Sequence, residues 1–166
     1  DTSGTIYFAT SKGVSVFRND TILQTLLPEV SFNTIFTDIE GSVWLLGDDG
    51  LYKSGENYTT THVNEMFPEL AGNVYDLQEN QATGEKYIAS AEGVFVYSEN
   101  EQTLLKLFDG NCYSLFIDVN DSIWISTRDG LFISNLVDFS TGEAGKKIRS
   151  LNKSLGISDV IIKDIF

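Results

Sequence analysis

The chain has 166 residues, 42% of them apolar and 12% aromatic, which is enough hydrophobic material for a packed core and excludes a disordered chain. Its 24 acidic residues outnumber 11 basic ones, and the resulting formal charge of −13 argues against nucleic acid or an anionic membrane surface as partners, since both need clustered Lys and Arg. One cysteine, Cys112, excludes an intrachain disulfide, and no run reaches the ~20 apolar residues of a membrane span.

The predicted elements are short strands in a fixed rhythm. Residues 5–9, 14–17 and 22–26 are three β-prone runs separated by turn residues. Strands follow at 32–37, 42–46, 51–54 and 58–64, with strong turn signals between them: Asp38-Ile39-Glu40-Gly41 and Gly47-Asp48-Asp49-Gly50. The same series returns at 73–78, 86–89, 94–97 and 104–107, then at 112–117, 122–126, 131–134 and 147–151, and a last run of the same type covers 160–165. The loops containing Pro28 and Pro68 (LLPEV and MFPEL) also correspond, and proline there is tolerable because it stands outside a ladder.

This rhythm is an internal repeat. DTSGTIYFATSKGVSVF at 1–17, DIEGSVWLLGDDGLYKS at 38–54, ENQATGEKYIASAEGVFVY at 79–97 and DVNDSIWISTRDGLFIS at 118–134 share one plan. An acidic residue opens a turn, an aromatic-centred strand follows, and a glycine leads into a second apolar run. The aromatics Tyr7, Trp44, Tyr87 and Trp124 are 37, 43 and 37 residues apart, and so are Gly13, Gly50, Gly93 and Gly130. Four strands per ~40 residues predict an all-β fold, a β-propeller of four-stranded antiparallel blades. The repeats run approximately 1–31, 32–71, 72–110 and 111–157, with 158–166 starting a further blade or closing the ring. The chain is expected to be a fragment of a larger propeller, because it begins inside one repeat and ends where another is due. Each sheet has two apolar faces that only neighbours can cover, so the recurring aromatic is expected to act as a wedge between sheets, a ring burying ~150–250 Å².

The motif Asp-x-x-Gly-x-[Ile/Val]-[Trp/Tyr], with Gly-[Leu/Val] six residues after the aromatic, resembles the two-component regulator propeller repeat. Ala9-Thr10-Ser11-Lys12-Gly13-Val14 and Ser126-Thr127-Arg128-Asp129-Gly130-Leu131 carry its second half, and Asn33 and Asn73 match its preceding Asn-x-[Ile/Val] run. The departures are Glu79 for Asp with two extra residues before Tyr87, Asp121 for Gly, and Tyr for Trp in repeats 1 and 3. The resemblance covers nearly the whole chain. It implies a periplasmic sensor segment of a membrane-bound hybrid two-component histidine kinase of Bacteroides type, responding to oligosaccharides from complex glycans. It also implies a homodimeric parent whose other domains are partners and whose kinase chemistry lies elsewhere. No cofactor, no metal and no direct membrane contact are expected of this segment. The alternative is a propeller module for protein–protein contacts or dimerisation.

Catalysis has little to work with. His62, on an expected outer strand, is the one candidate base for triad chemistry and reads as a surface residue. Asp118-Val119-Asn120-Asp121-Ser122 begins like a cation loop, but its counterparts in other repeats are plain turns. Binding is the better use of the blade ends. There the turns between second and third strands offer Asp48, Asp49, Arg128 and Asp129 as fork-like polar groups, and the first strands offer Tyr75 and Tyr113 as aromatic platforms. These six are the candidate ligand-binding residues. Lys12, Glu92 and Asn111 lie in equivalent connections.

Overall fold

The computed structural model describes residues 4–140 and 148–151. Among these, fifteen strands form four sheets whose strands pair in chain order. Sheet 1 holds β1 (Ile6–Thr10), β2 (Gly13–Arg18) and β3 (Thr21–Leu26). Sheet 2 holds β4 (Phe32–Thr37), β5 (Val43–Gly47), β6 (Leu51–Ser54) and β7 (Thr60–His62). Sheet 3 holds β8 (Val74–Glu79), β9 (Lys86–Ser90), β10 (Gly93–Ser98) and β11 (Thr103–Asp109). Sheet 4 holds β12 (Cys112–Ile117), β13 (Ser122–Thr127), β14 (Gly130–Asn135) and β15 (Arg149–Leu151). The strand expected at 160–165 lies outside the described residues. The chain divides into two compact units, Asp1–Tyr75 and Asp76–Phe166.

Each unit contains one seam between two sheets, and the two seams use the same slots. In the first unit Tyr7, Ala9, Val14, Val16 and Leu26 of sheet 1 meet Phe32, Ile35, Val43, Leu45 and Tyr52 of sheet 2. In the second, Tyr87, Ala89, Val94, Val96 and Leu107 of sheet 3 meet Cys112, Leu115, Ile123, Ile125 and Phe132 of sheet 4. Tyr7 and Tyr87 are the expected wedges. An aromatic from the following sheet's third connection covers each: Tyr58 lies edge-on to Tyr7 at 6.5 Å, and Phe139 lies 6.4 Å from Tyr87. A carboxylate also crosses the second seam. Asp76 on β8 accepts from the Ser114 hydroxyl at 3.0 Å and from the Leu115 amide at 2.8 Å.

The recurring glycines follow from the same compactness. Gly13 and Gly93 have φ of +92° and +149°, and a Cβ on either would collide with the carbonyl oxygen of Leu26 or Phe108 on the outer strand.

Two features differ from the sequence reading. The outer strand of sheet 2 is only Thr60–His62, flanked by single turns of 3-10 helix at Glu56–Tyr58 and Val63–Glu65. After β14 comes a short helix, α1 (Leu136–Ser140). Asn135 Oδ1 accepts from the Val137 amide and starts it, and Leu136 and Phe139, three apart on one face, bury against the seam.

The acidic residue at the first turn of repeats 2 and 4 is structural. Asp38 accepts from the Ser42 amide at 2.7 Å and from the Trp44 indole at 2.8 Å. Asp118 does the same with Ser122 at 3.0 Å and Trp124 at 2.9 Å, and also receives the Asn120 amide at 2.9 Å. In repeat 3 this slot belongs to Asn80 and not to Glu79. The Asn80 amide donates to Glu85 O at 2.9 Å, as the Asp118 amide donates to Ser122 O at 2.9 Å. Measured from Asn80, the turn before Tyr87 is longer by one residue, not two. Glu79, the last residue of β8, instead pairs with Lys86 at 3.4 Å, and both side chains are buried.

The hydrogen bond from Trp124 is the main reason the Asp118 carboxyl lies below its ordinary value; the Ser122 and Asn120 amides add to it, and burial opposes it. A carboxylate depressed on folding stabilises the fold above its unfolded pKa, and this is lost as pH falls through the folded value. Trp124→Phe is therefore expected to raise the Asp118 pKa towards the ordinary carboxylate value of about 4 and to flatten the acid limb of the stability profile. Carboxyl NMR titration alongside acid unfolding checks both.

Candidate functional site

The turns that join the second and third strands share one device. Three residues after each aromatic anchor stand Thr10, Gly47, Ser90 and Thr127. The Thr10 hydroxyl donates to Gly13 O at 2.8 Å and accepts from the Lys12 amide at 3.0 Å. Ser90 donates to Gly93 O at 3.2 Å and accepts from Glu92 at 3.1 Å. Thr127 donates to Gly130 O at 3.0 Å and accepts from Asp129 at 3.0 Å. In sheet 2 the slot is Gly47, and backbone bonds replace the hydroxyl: the Asp48 amide reaches Ser31 O at 3.0 Å. A side chain at Gly47 would crowd Ser31 and Phe32. The recurring hydroxyl before the turn glycine was visible in the sequence, but its role was not.

The six candidate residues divide between the units. Arg128 and Asp129 lie together, both exposed, in the β13–β14 turn. Tyr113 is on β12 of the same sheet and is half-buried. The register passes from Cys112↔Thr127 to Ser114↔Ser126, so Tyr113 occupies a β-bulge, a device that re-aims a side chain. Asn111 and Arg128 are the residues next beyond the last pair of that ladder, Cys112↔Thr127. Asn111 Oδ1 is buried and has no hydrogen-bond partner among the described residues. An acceptor left so costs about 1–3 kcal/mol. Arg128 forms no ion pair among the described residues and keeps its fork of donors open.

Asp48, Asp49 and Tyr75 belong to the first unit. Asp48 is exposed. Asp49 is committed: its Oδ2 accepts from the Tyr52 hydroxyl at 2.8 Å, and its carbonyl accepts from Asn64 Nδ2 at 3.1 Å. Asn64 also donates to Leu70 O at 3.0 Å and accepts from the Leu51 amide at 3.3 Å, tying the β5–β6 turn to the connection beyond β7. Tyr75 is half-buried on β8. His62 stands on the outer strand β7, as expected, and is half-buried. Its ring stacks on Tyr52 at 4.2 Å and 5° across the β6–β7 pair, and its Nε2 is buried without a partner among the described residues.

Cation chemistry gains nothing from the Asp118 loop, because both carboxylate oxygens already accept protein donors. Among the described residues no cluster of three or more His, Cys, Asp or Glu is arranged to hold a metal ion. No helix among them is long and apolar enough to cross a membrane.

No protein-family model matches the chain, and no curated protein matches it. Solved structures do. The chain is similar to the extracellular domain assigned to the hybrid two-component system BT4673 from B. thetaiotaomicron, with 19% identity and a TM-score of 0.72 over 98% of this chain and 23% of that one. It is also similar to the extracellular domain assigned to the hybrid two-component system BT3049 of the same species, with 20% identity and a TM-score of 0.65 over 80% of this chain and 19% of that one. The WD40 domain of Neurospora crassa Pan2 matches at 14% identity with a TM-score of 0.58, over 82% of this chain and 44% of that one. WD40 repeats are propeller blades. The sheets of this chain are β-propeller blades in fold. The chain spans about a fifth of the length of the sensor ectodomains it matches. In propeller terms, Arg128, Asp129, Asn111 and Tyr113 crowd one end of a single blade, and Asp48 with Asp49 occupy the corresponding turn of another.

The Tyr52 phenol is pushed above its ordinary value by burial first and by its bond to Asp49 next. Asp49→Asn removes the charge and is expected to bring the phenol down, because the phenolate then forms without the carboxylate that accepts its hydroxyl, although burial, Asp48 and Glu65 still hold it up. A spectrophotometric titration of tyrosine ionisation, with Tyr52→Phe to assign the signal, checks it.

Proposed function

We propose that this chain is an extracytoplasmic, non-catalytic ligand-sensing propeller segment of a hybrid two-component sensor histidine kinase, located in the periplasm and responding to oligosaccharides from complex glycans. The observation that carries this reading is the fold shared with the BT4673 ectodomain along 98% of the chain. Arg128, Asp129, Asp48, Asp49, Tyr75 and Tyr113 are the proposed ligand contacts. Asn111 is added as an acceptor at the same end of the ladder.

The chemistry of that blade end supports a hydroxyl-rich ligand. A sugar presents adjacent hydroxyls that both donate and accept. Arg128 supplies only donors and Asp129 only acceptors, so neighbouring hydroxyls can use both at once. Tyr113 offers a face for the apolar side of a pyranose ring. The ligand acts on signalling only if it binds the two arrangements of a homodimeric parent unequally, and the parent's other domains transmit that difference. Kinase chemistry is assigned to those other domains. The repeat boundaries 1–31, 32–71, 72–110 and 111–157 belong to the same proposal.

A second reading, a propeller module for protein–protein contacts, draws on the exposed apolar side chains of sheet 1, Ile6, Phe8, Ile22 and Leu23.

Calorimetric titration against a panel of glycan-derived oligosaccharides tests the first reading. The expected result is saturable binding of at least one of them, weakened roughly 10–100-fold by Arg128→Ala, the effect of losing about 1.5–3 kcal/mol of charge-assisted hydrogen bonding. Silence across the panel from a folded protein sinks the sugar assignment. Arg128→Ala that leaves sugar binding intact removes this blade end from the site.

A further inference from the structure

Isoaspartate forms most readily where Gly follows Asp. With no side chain on the second residue, little obstructs attack of its amide nitrogen on the carboxyl carbon of the first. The chain contains three such pairs, Asp49-Gly50, Asp109-Gly110 and Asp129-Gly130. All three stand at strand ends, and the fold holds them very differently.

Asp49-Gly50 is locked. The Asp49 carboxylate accepts from the Tyr52 hydroxyl at 2.8 Å, its carbonyl accepts from Asn64 at 3.1 Å, and Gly50 O accepts from the Gly47 amide at 2.9 Å. The Asn64 side chain fills the space beside Gly50, which leaves the backbone no room to turn. Asp129-Gly130 is held by the hydroxyl device of its turn. The Asp129 amide donates to Thr127 Oγ1 at 3.0 Å, Gly130 O accepts from the same hydroxyl at 3.0 Å, and Gly130 pairs with Thr127 in the ladder.

Asp109-Gly110 lacks these restraints. Asp109 ends β11 opposite Gly93, and its side chain is 91% exposed. Gly110 lies beyond the ladder. Its amide has no hydrogen-bond partner among the described residues, and a Cβ built on it meets nothing within 4 Å. The nitrogen is free and the chain around it has room to rotate. The carboxylate pairs with Lys106 Nζ at 2.7 Å, an exposed pair of the kind that stabilises little.

We infer that Asp109-Gly110 is a modification site, where the chain converts Asp109 to isoaspartate without an enzyme. The Gly110 nitrogen attacks Cγ of the Asp109 carboxylic acid. A C–N bond forms, the C–OH bond breaks, and the amide proton leaves with the hydroxyl as water, giving a five-membered cyclic imide. Water then opens the imide. Addition at Cγ restores aspartate. Addition at the α-carbonyl breaks its bond to the Gly110 nitrogen and leaves the main chain running through Cγ. Water lost in the first step is regained in the second, and no oxidant is needed. The product carries one more carbon in its main chain, placed directly before the two residues, Gly110 and Asn111, that lead from β11 into β12. The chemistry requires no ligand, so it stands or falls apart from the sugar reading.

Ageing the 166-residue chain in warm, near-neutral buffer tests it. Isoaspartate is quantified by enzymatic methyl transfer to its free α-carboxylate. It is located by peptide mass spectrometry with electron-transfer fragmentation, which separates the two linkages. The expected result is isoaspartate accumulating at 109 at least roughly tenfold faster than at 49 or 129, the factor set by one or two hydrogen bonds that must first break. In denaturant the three rates are expected to converge, because the pairs then differ only in their flanking residues. Asp109→Glu keeps the charge but would need a six-membered ring, and it is expected to lose the product at 109. Modification led by 49 or 129, equal rates in the folded chain, or no product from the folded chain over a period in which the denatured chain yields it each overturns the inference. Rates that keep their folded order in denaturant do so too, by making the sequence and not the structure the cause.

Discussion

Sheet-to-sheet burial is what everything else in this molecule rests on. A sheet of three or four short strands cannot enclose a core, because both its faces remain available to water. Stability comes when one sheet's Tyr, Ala and two Val close on the next sheet's paired aliphatics. The two described seams realise this with matching sets, Tyr7, Ala9, Val14 and Val16 in one and Tyr87, Ala89, Val94 and Val96 in the other. Sequence periodicity is a consequence. A seam that works once can be repeated only if each sheet carries both halves of it, one on each face, and that is why nearly every strand position recurs at about 40 residues.

Acidity takes on a different meaning against this background. A charge of −13 invites a reading in which the carboxylates merely keep a β-rich surface soluble. Several are instead internal acceptors. Asp38 and Asp118 hold the indoles of Trp44 and Trp124, Asp76 spans a seam to Ser114 and Leu115, and Glu79 is buried against Lys86. Asp38 and Asp118 supply several acceptor positions just beyond a strand end, where ladder bonds run out. The fold spends these acids on its own donors. The acids that stay exposed in the turns, such as Asp48 and Asp129, are the ones proposed as ligand contacts.

The strands were legible because alternation and turn chemistry are local signals. Residues 42–46 and 51–54 could be read from SVWLL, GDDG and LYKS alone. The wedge was legible because four aromatics kept one spacing. Side-chain type misled where backbone bonding decides. Glu79 looked like the opening acid of repeat 3, yet Asn80 makes the turn's backbone bonds, and no composition cue separates the two. The outer connections of sheets 2 and 4 were obscure for another reason. Tyr58, Leu136 and Phe139 belong to short helical turns whose only purpose is to reach a seam, and a segment with so few residues has no period to read. The bulge at Tyr113 was hidden in the same way, since a one-residue slip in register leaves no trace in a single strand's sequence.

The division of labour between seams and turns explains why the blade ends are the place to look for function. The seams hold the strands without help from the turns, so Asp48, Arg128 and Asp129 are free to vary in chemistry without endangering the sheets. Freedom alone would make poor recognition, because each loose side chain costs roughly 0.5–1.5 kcal/mol to immobilise on binding. The hydroxyls of Ser90 and Thr127 limit that cost by fixing the turn backbone before a ligand arrives. At the end of sheet 4 a fixed turn, an exposed guanidinium, a bulged tyrosine and a buried amide oxygen on Asn111 that has no partner among the described residues occur together. The first holds position, the next two offer contacts, and the last is a deficit that a ligand hydroxyl would remove. The same Asn111 oxygen sits where β12 begins, so a ligand bound there touches the strand whose Ser114 and Leu115 hold Asp76 across the seam. Asn111 of the proposed site and Ser114, which donates to Asp76 across the seam, are three residues apart in the sequence.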